Sequence, residues 1–394
     1  MKILVVCQYY YPEPFRIPDI CQAMVEQGHQ VTVVTGTPNY PEGEIYPGYE
    51  NGSHADEVIN GVRVHRCPII PRKQGALYRF LNYYSFVFSS WRYLMGLKDD
   101  FDVVFVNQLS PVMMAQSAIA WAKGQKKKCV LYCLDLWPES LLAGGIRKDS
   151  LIYKVFLAVS RKIYRDADAL LITSMGFREY FRDVLGVEDG KIRHLPQYAE
   201  DMFGQITAEE GEKEKVNFLF AGNIGQTQAV ETIVEAARLV SENPRIHIHI
   251  VGGGISLDHC RQLAEGLENI TFHGRRDLSE MPAFYAMADA MLVTLVDDPV
   301  LSLTLPGKVQ SYMAAGKAVI GAINGETQNL IRQAQCGRCT AAEDAQGLAA
   351  LLRAGAENPE LLKQQGKAAR AYYDTYFRKE TFINTLLAVL QENC

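Results

Sequence analysis

The run Val216 to Gln228, VNFLFAGNIGQTQ, takes an apolar strand straight into a turn with glycines at 222 and 225 and then toward a helix. With no Cβ at Gly222 or Gly225, backbone N–H groups at a helix N-terminus can close on an anionic oxygen, which suits a phosphate. A second element of the same design follows at Ile246 to Gly254, IHIHIVGGG. The second half of the chain is therefore expected to hold a nucleotide or nucleotide-sugar. In the first half, Asp135 closes an apolar run, Cys129 to Leu134. An acid at the C-terminal end of a parallel strand faces the ligand, where it can orient or deprotonate a hydroxyl. Glu139 follows Pro138, and reads either as a second functional acid or as an ordinary first-turn acid of a helix.

These residues need rigid elements behind them. Strands are expected at 2–7, 30–35, 62–67, 102–106, 129–134 and 169–173, with helices near 16–27, 111–124 and 150–165. Strand and helix alternate in this way in doubly wound parallel sheets, whose ligands bind beyond the strand C-terminal ends. A stretch rich in Glu and poor in apolar periodicity, 200–215, is expected to be a linker. It would divide an N-terminal domain, 1–199, from a C-terminal domain, 216–371, and the closing helix 372–394 is expected to pack back on the first.

Composition narrows the function. The chain has 394 residues, 48% hydrophobic, and a net charge of −5; that length favours two domains, and that charge disfavours nucleic acid as a partner. The first strand begins at Lys2 with no export signal before it, so reduced thiols and a cytoplasmic location are expected. Of nine cysteines only Cys336 and Cys339 are closely paired, without the second pair or histidines a zinc site needs. Asp100-Phe101-Asp102 imitates a metal-binding DxD but precedes a strand, so no metal or other cofactor is expected.

An ordered set of motifs carries a family resemblance over nearly the whole length: YYYPEP at 9–14, GHQVTVVTGTPNYPEG at 28–43, GVRVHRCPIIPR at 61–72, DLWPES at 135–140, AGNIG at 221–225, IVGGG at 250–254 and PGKVQSYMAAGKAV at 306–319. The chain resembles family 4 glycosyltransferases. The resemblance implies an α/β GT-B fold, two Rossmann-like doubly wound sheets facing across a cleft, and retention of anomeric configuration. Within the family it is most similar to bacterial O-antigen and capsule enzymes of the WbuB type, N-acetyl-L-fucosamine transferases. That similarity implies a UDP-sugar donor, an undecaprenyl-diphosphate-linked saccharide acceptor, and a peripheral position at the inner face of the cytoplasmic membrane.

The chain departs from the family where many members neutralise the leaving diphosphate with an Arg and a Lys: Asn223 and Gln228 stand there. Another cation must contribute, and Lys308, in a Pro-Gly-Lys turn opening a helix, is the candidate. Two family glutamates correspond to Leu303 and Ser311; Ser311 could still bond a ribose hydroxyl. Glu326, after the next strand, could restore a carboxylate, or simply favour a helix start. Arg275, with Arg276, follows the strand ending at Gly274, where the family contacts base or diphosphate. Arg16 lies in the loop after the first strand, where the family contacts its substrates.

Leu77 to Leu97 is aromatic, flanked by Arg72, Lys73, Arg79 and Arg92, and too polar for a confident span. It reads as a helix lying in a membrane interface or as one buried on the sheet. Two other functions fit the same domains, a GT-B-like nucleotide-sugar epimerase and a non-catalytic nucleotide-sugar-binding partner.

Overall fold

Strands rich in Val, Ile and Leu are buried on both faces in this chain, as parallel sheets covered by helices require. The computed structural model describes residues 1–73, 75–206 and 214–394. It divides into two units, Met1–Leu195 with Ile383–Cys394, and Pro196–Phe382.

The first unit is built on eight strands: β1 (Lys2–Val6), β2 (Gln30–Gly36), β3 (Asp56–Ile59), β4 (Val62–Cys67), β5 (Val103–Gln108), β6 (Lys128–Cys133), β7 (Ala169–Ile172) and β8 (Ile192–His194). Their order is β3-β4-β2-β1-β5-β6-β7-β8, and every pairing except β3 with β4 is parallel. The chain winds outward from β1 on one side and from β5 on the other, so the crevice that binds ligands in such sheets opens beyond β1 and β5. Two strands were unexpected: β8, only three residues long, and β3, short and half polar, which forms a hairpin with β4 through Asn60 and Gly61, both at positive φ.

The second unit carries six parallel strands, β9 (Val216–Ala221), β10 (Ile246–Val251), β11 (Ile270–Gly274), β12 (Ala290–Thr294), β13 (Ala318–Ala322) and β14 (Gly337–Thr340), ordered β11-β10-β9-β12-β13-β14. Side chains alternate along β9. Phe218 and Phe220 enter one core with Ile248 and Leu348, and Leu219 and Ala221 enter the other with Met291 and Tyr312. The winding reverses between β9 and β12, which puts the ligand crevice beside the end of β9.

The boundary falls after Leu195 and not near 199, because Ala199 and Phe203 are core residues of the second unit. Phe203 stacks on Tyr285 at 4.6 Å, and the Ala199 N–H donates to the Tyr373 hydroxyl. Asp201–Gln205 is thus a helical turn where linker was expected, and 207–213 lie outside the described residues. At the other end, helix Pro359–Tyr376 belongs to the second unit through Ala369 and Tyr373, and only Ile383–Cys394 joins the first.

Three histidines, His247 and His249 of β10 and His273 of β11, meet on one face of the two strands. His249 Nδ1 lies 3.0 Å from His273 Nε2, His249 Nε2 lies 3.2 Å from Asn217 Oδ1, and His247 Nε2 lies 2.8 Å from Thr271 Oγ1. Burial lowers all three pKa values, His249 to about 4, and Lys215, Arg276 and the other imidazoles add to the effect. The neutral rings are favoured by folding, so the unfolded chain takes up protons first as pH falls. Stability present above about pH 6.5 should therefore decline toward pH 4. Between pH 7 and pH 5 the His249 contribution to urea-unfolding stability, reduced by solvent screening of a half-buried ring, should fall by about 1 kcal/mol. A His249→Asn variant should show a correspondingly flatter profile, and equal slopes would exclude this origin.

Candidate functional site

Both glycine turns leave the C-terminal ends of neighbouring strands and are tied together by their backbones. The Gly222 N–H donates to Val251 O at 2.9 Å, Ile224 N–H to Gly253 O at 2.9 Å, and Ser256 N–H to Ile224 O at 3.0 Å. Gly252 has φ +146°, and a Cβ there would stand 1.8 Å from Gly222 O. Gly252→Ala should therefore force the turns apart and destabilise the second unit by about 2–3 kcal/mol, read from chemical unfolding; an unchanged midpoint would show that the turns separate freely. The helix does not start directly after Gly225. Gln226–Gln228 makes a 3-10 turn, Ala229 is left-handed at φ 46°, and the helix begins at Val230.

A cation is delivered to this turn from the other side of the switch point. Helix Gly307–Ala314 is pinned by Tyr312, whose hydroxyl accepts from Ala221 N–H and donates to Ala221 O, each at 3.1 Å. Lys308 lies one helical turn earlier on the same face. Its Nζ sits 4.0 Å from the Phe220 ring centroid and donates to Gln228 Oε1 at 2.7 Å. A Cβ on Gly222 would be 2.9 Å from that Nζ. Among the described residues no carboxylate pairs with Lys308, and burial lowers its pKa to about 7. A half-buried ammonium over a glycine turn, without a counter-charge, suits an anion whose arrival would restore its proton.

The other candidates of this unit are distributed around that centre. Asn223 is exposed, its amide lying against the positions a Cβ would take at Gly225 and Gly254. Arg275 is exposed beside Gly253, whereas Arg276 turns back to His273 O and to Glu280. Ser311 is 7% exposed within the pinned helix. Glu326, half-buried, opens helix Glu326–Gln333 beyond β13, where Thr327 Oγ1 donates to Thr304 O in the loop leading to Lys308. The Cys336 and Cys339 thiols are pushed up to about 12 by burial, protonated at neutral pH and unsuited to metal or redox work.

In the first unit Asp135 follows β6. Its Oδ2 accepts from Ser110 N–H at 3.1 Å, and Gln108 Nε2 donates to its backbone oxygen at 3.2 Å. Burial raises its pKa above the usual carboxylate value, opposed by Ser110 and by the charge of Arg72. Arg72 rests against the Tyr40 and Tyr83 rings, and Arg16, just before helix Ile17–Glu26, acts on Tyr132 at the end of β6. Glu139 has a packing explanation. It is 2% exposed, and its Oε1 accepts from the Tyr153 hydroxyl at 2.8 Å and the Tyr180 hydroxyl at 2.6 Å. Asp100 pairs with Lys127 and Asp102 accepts from Lys2 N–H; among the described residues no group of three His, Cys, Asp or Glu side chains is arranged to hold a metal.

Sequence reasoning missed Glu13, Phe220 and Tyr312. Glu13 is 3% exposed and accepts from Tyr10, Asn39 and Tyr40 N–H groups, tying the loop after β1 to the loop after β2. Burial raises it to about 7. An acid inside YYYPEP just after the first strand was a usable signal for Glu13. For Tyr312 the only signal was its spacing of four from Lys308.

Residues 15–197 match the Glycosyl transferase 4-like domain, and residues 215–358 match the Glycosyl transferases group 1 domain. The chain is 27% identical over 344 residues to the putative colanic acid biosynthesis glycosyl transferase WcaI of Escherichia coli (strain K12), covering 82% of this chain and 83% of that one. Among solved structures it is similar to sucrose-phosphate synthase from Thermosynechococcus elongatus, with TM-score 0.74 and 16% identity over 100% of this chain and 99% of that one. Anabaena HepE in complex with UDP gives TM-score 0.72 and 14% identity over all of both chains.

Proposed function

Since the chain is a glycosyltransferase, with a 4-like and a group 1 domain in tandem on a GT-B fold, we propose that it transfers an N-acetylated hexosamine from a UDP-sugar to a lipid-diphosphate-linked saccharide in surface polysaccharide synthesis. The observation that carries this reading is the Lys308 ammonium above the Gly222 turn. UDP in complex with HepE, a protein of the same fold, supports a uridine donor. WcaI, named for colanic acid biosynthesis, supports a polysaccharide pathway. The sugar proposed is N-acetyl-L-fucosamine and the carrier undecaprenyl diphosphate, with the enzyme peripheral at the inner face of the cytoplasmic membrane; these rest on the motif resemblance.

In this mechanism the second unit binds the donor. The diphosphate meets Lys308, the glycine turns and Arg275, with Asn223 and Gln228 as hydrogen-bonding neighbours and Ser311 and Glu326 toward the ribose. The bond between the sugar C1 and the diphosphate oxygen breaks as a bond from the acceptor oxygen to C1 forms. Negative charge grows on the departing UDP, where a preorganised cation has its largest effect. The first unit binds the acceptor, with Asp135 orienting the hydroxyl and taking its proton, and with Arg16 and Arg72 near the carrier diphosphate. No metal is required in this scheme.

A donor panel tests it: UDP-linked N-acetyl-L-fucosamine, GlcNAc, GalNAc, glucose and galactose, each with a lipid-diphosphate GlcNAc acceptor. UDP release together with a heavier lipid is expected with an N-acetylated donor. UDP-sugar interconversion without a lipid product would favour the epimerase, and binding without turnover would favour the non-catalytic partner.

A further inference from the structure

Helix Ala76–Gly96 in the first unit has two opposed rows. Asn82, Phe86, Ser90 and Leu94 are fully buried against the unit, whereas Leu77, Phe80, Phe88, Trp91 and Met95 recur at helical spacing and stay open, Phe88 at 66% and Trp91 at 46%. Exposed apolar side chains aligned on one face mark a contact surface. No described helix is long and apolar enough to cross a membrane, so this one would lie along a surface.

Beside the C-terminal end of that row is a groove of about 620 Å³ lined by His65, Cys67, Tyr93 and Leu97, with Arg92 and Lys98 contributing cations. His65 is committed elsewhere, stacked on Tyr93 at 3.5 Å and bonded to Asp56. Arg92 and Lys98 are both exposed, and neither forms an ion pair among the described residues, in contrast to nearby Arg63, which pairs with Asp99. Two unpaired cations at a mostly apolar groove, adjoining an apolar helix face, complement a molecule that is anionic at one end and aliphatic at the other.

We propose that this groove binds the phosphate headgroup of an anionic bilayer lipid, with Phe88, Trp91 and Met95 entering the acyl boundary. The assignment rests on the reading of a membrane-peripheral enzyme and supplies its anchor. Arg92 and Lys98 select charge, and the aromatic row supplies affinity that is indifferent to charge.

Co-sedimentation of the full chain with vesicles separates these contributions. Wild type should partition onto phosphatidylglycerol-containing vesicles at least roughly tenfold more strongly than onto pure phosphatidylcholine, an advantage that fades as salt is raised. Arg92→Gln with Lys98→Gln should remove most of that advantage and leave phosphatidylcholine binding unchanged. Phe88→Ser with Trp91→Ser should weaken both, and the charge-matched control Arg245→Gln with Arg261→Gln, in the second unit, should change neither. The proposal is overturned if wild type ignores lipid charge, if the Arg92/Lys98 variant partitions like wild type, or if inorganic phosphate at fixed ionic strength displaces the protein, which would mark a site for free phosphate. Melting-temperature shifts with UDP, recorded on the same variants, are expected to match wild type, so a failed anchor is distinguishable from a failed donor site.

Discussion

Lys308→Ala is expected to lower kcat/KM for transfer by roughly 10²–10³-fold, about 3–4 kcal/mol of transition-state stabilisation. The magnitude follows from position. Lys308 is the cation that stands over the Gly222 turn, the usual Arg and Lys of that turn being Asn223 and Gln228 in this chain. The fold should survive the change, because Tyr312 and not Lys308 pins the helix to β9. Lys308→Arg should recover only part of the rate, since the guanidinium is larger than the compact ammonium that fits between Gly222, the Phe220 ring and Gln228 and would carry its charge to a different point. Steady-state kinetics with a saturating acceptor would read both, and full activity in Lys308→Ala would remove the lysine from the mechanism.

Asp135→Asn should act on the other substrate. Asparagine preserves the oxygen that accepts from Ser110 N–H but cannot take a proton, so kcat should drop by roughly 10²–10⁴-fold while the melting shift produced by UDP stays the same. The acid works as its carboxylate, and burial raises its pKa, so wild-type activity should fall on acidification at a higher pH than an exposed aspartate would impose. A loss of UDP affinity in Asp135→Asn would contradict its assignment to the acceptor.

The sheets were legible because their strands are long apolar runs punctuated by glycine. Lys2–Val6, Val103–Gln108 and Lys128–Cys133 carry buried residues on both faces and so read as unbroken apolar runs, whereas Ala290–Thr294 is not among the expected strands. The β3 strand escapes such a reading, because Asp56–Ile59 is a four-residue edge strand, two acids followed by two aliphatics, with neither an apolar run nor alternation and with little burial. The domain boundary shifted for a similar reason. Phe203 is a single aromatic in an acidic stretch, and only tertiary packing against Tyr285 reveals that it belongs to a core.

Within the candidate site, residue types and turns could be read from sequence, but partners could not. The sequence singles out Lys308 as a candidate because two cations are replaced in the turn, whereas its seat on Phe220 and its bond to Gln228, 80 residues away, depend on the β9–β12 adjacency. Glu139 shows the converse. Its place after Pro138 allowed two readings, and burial with the Tyr153 and Tyr180 hydroxyls supplies a structural one.

Calorimetric titration with UDP at pH 8.5, repeated in buffers of different ionisation enthalpy, reads whether Lys308 gains a proton as the diphosphate binds. Free Lys308, with a pKa near 7, is mostly neutral at that pH. A diphosphate bound against it raises that pKa, so wild type should bind UDP and take up close to one proton per site. Lys308→Gln should bind at least roughly tenfold more weakly and without uptake. Binding by wild type with no proton uptake, or equal affinity in the variant, would contradict the placement of Lys308 at the diphosphate, and the absence of UDP binding to wild type would contradict the uridine donor itself.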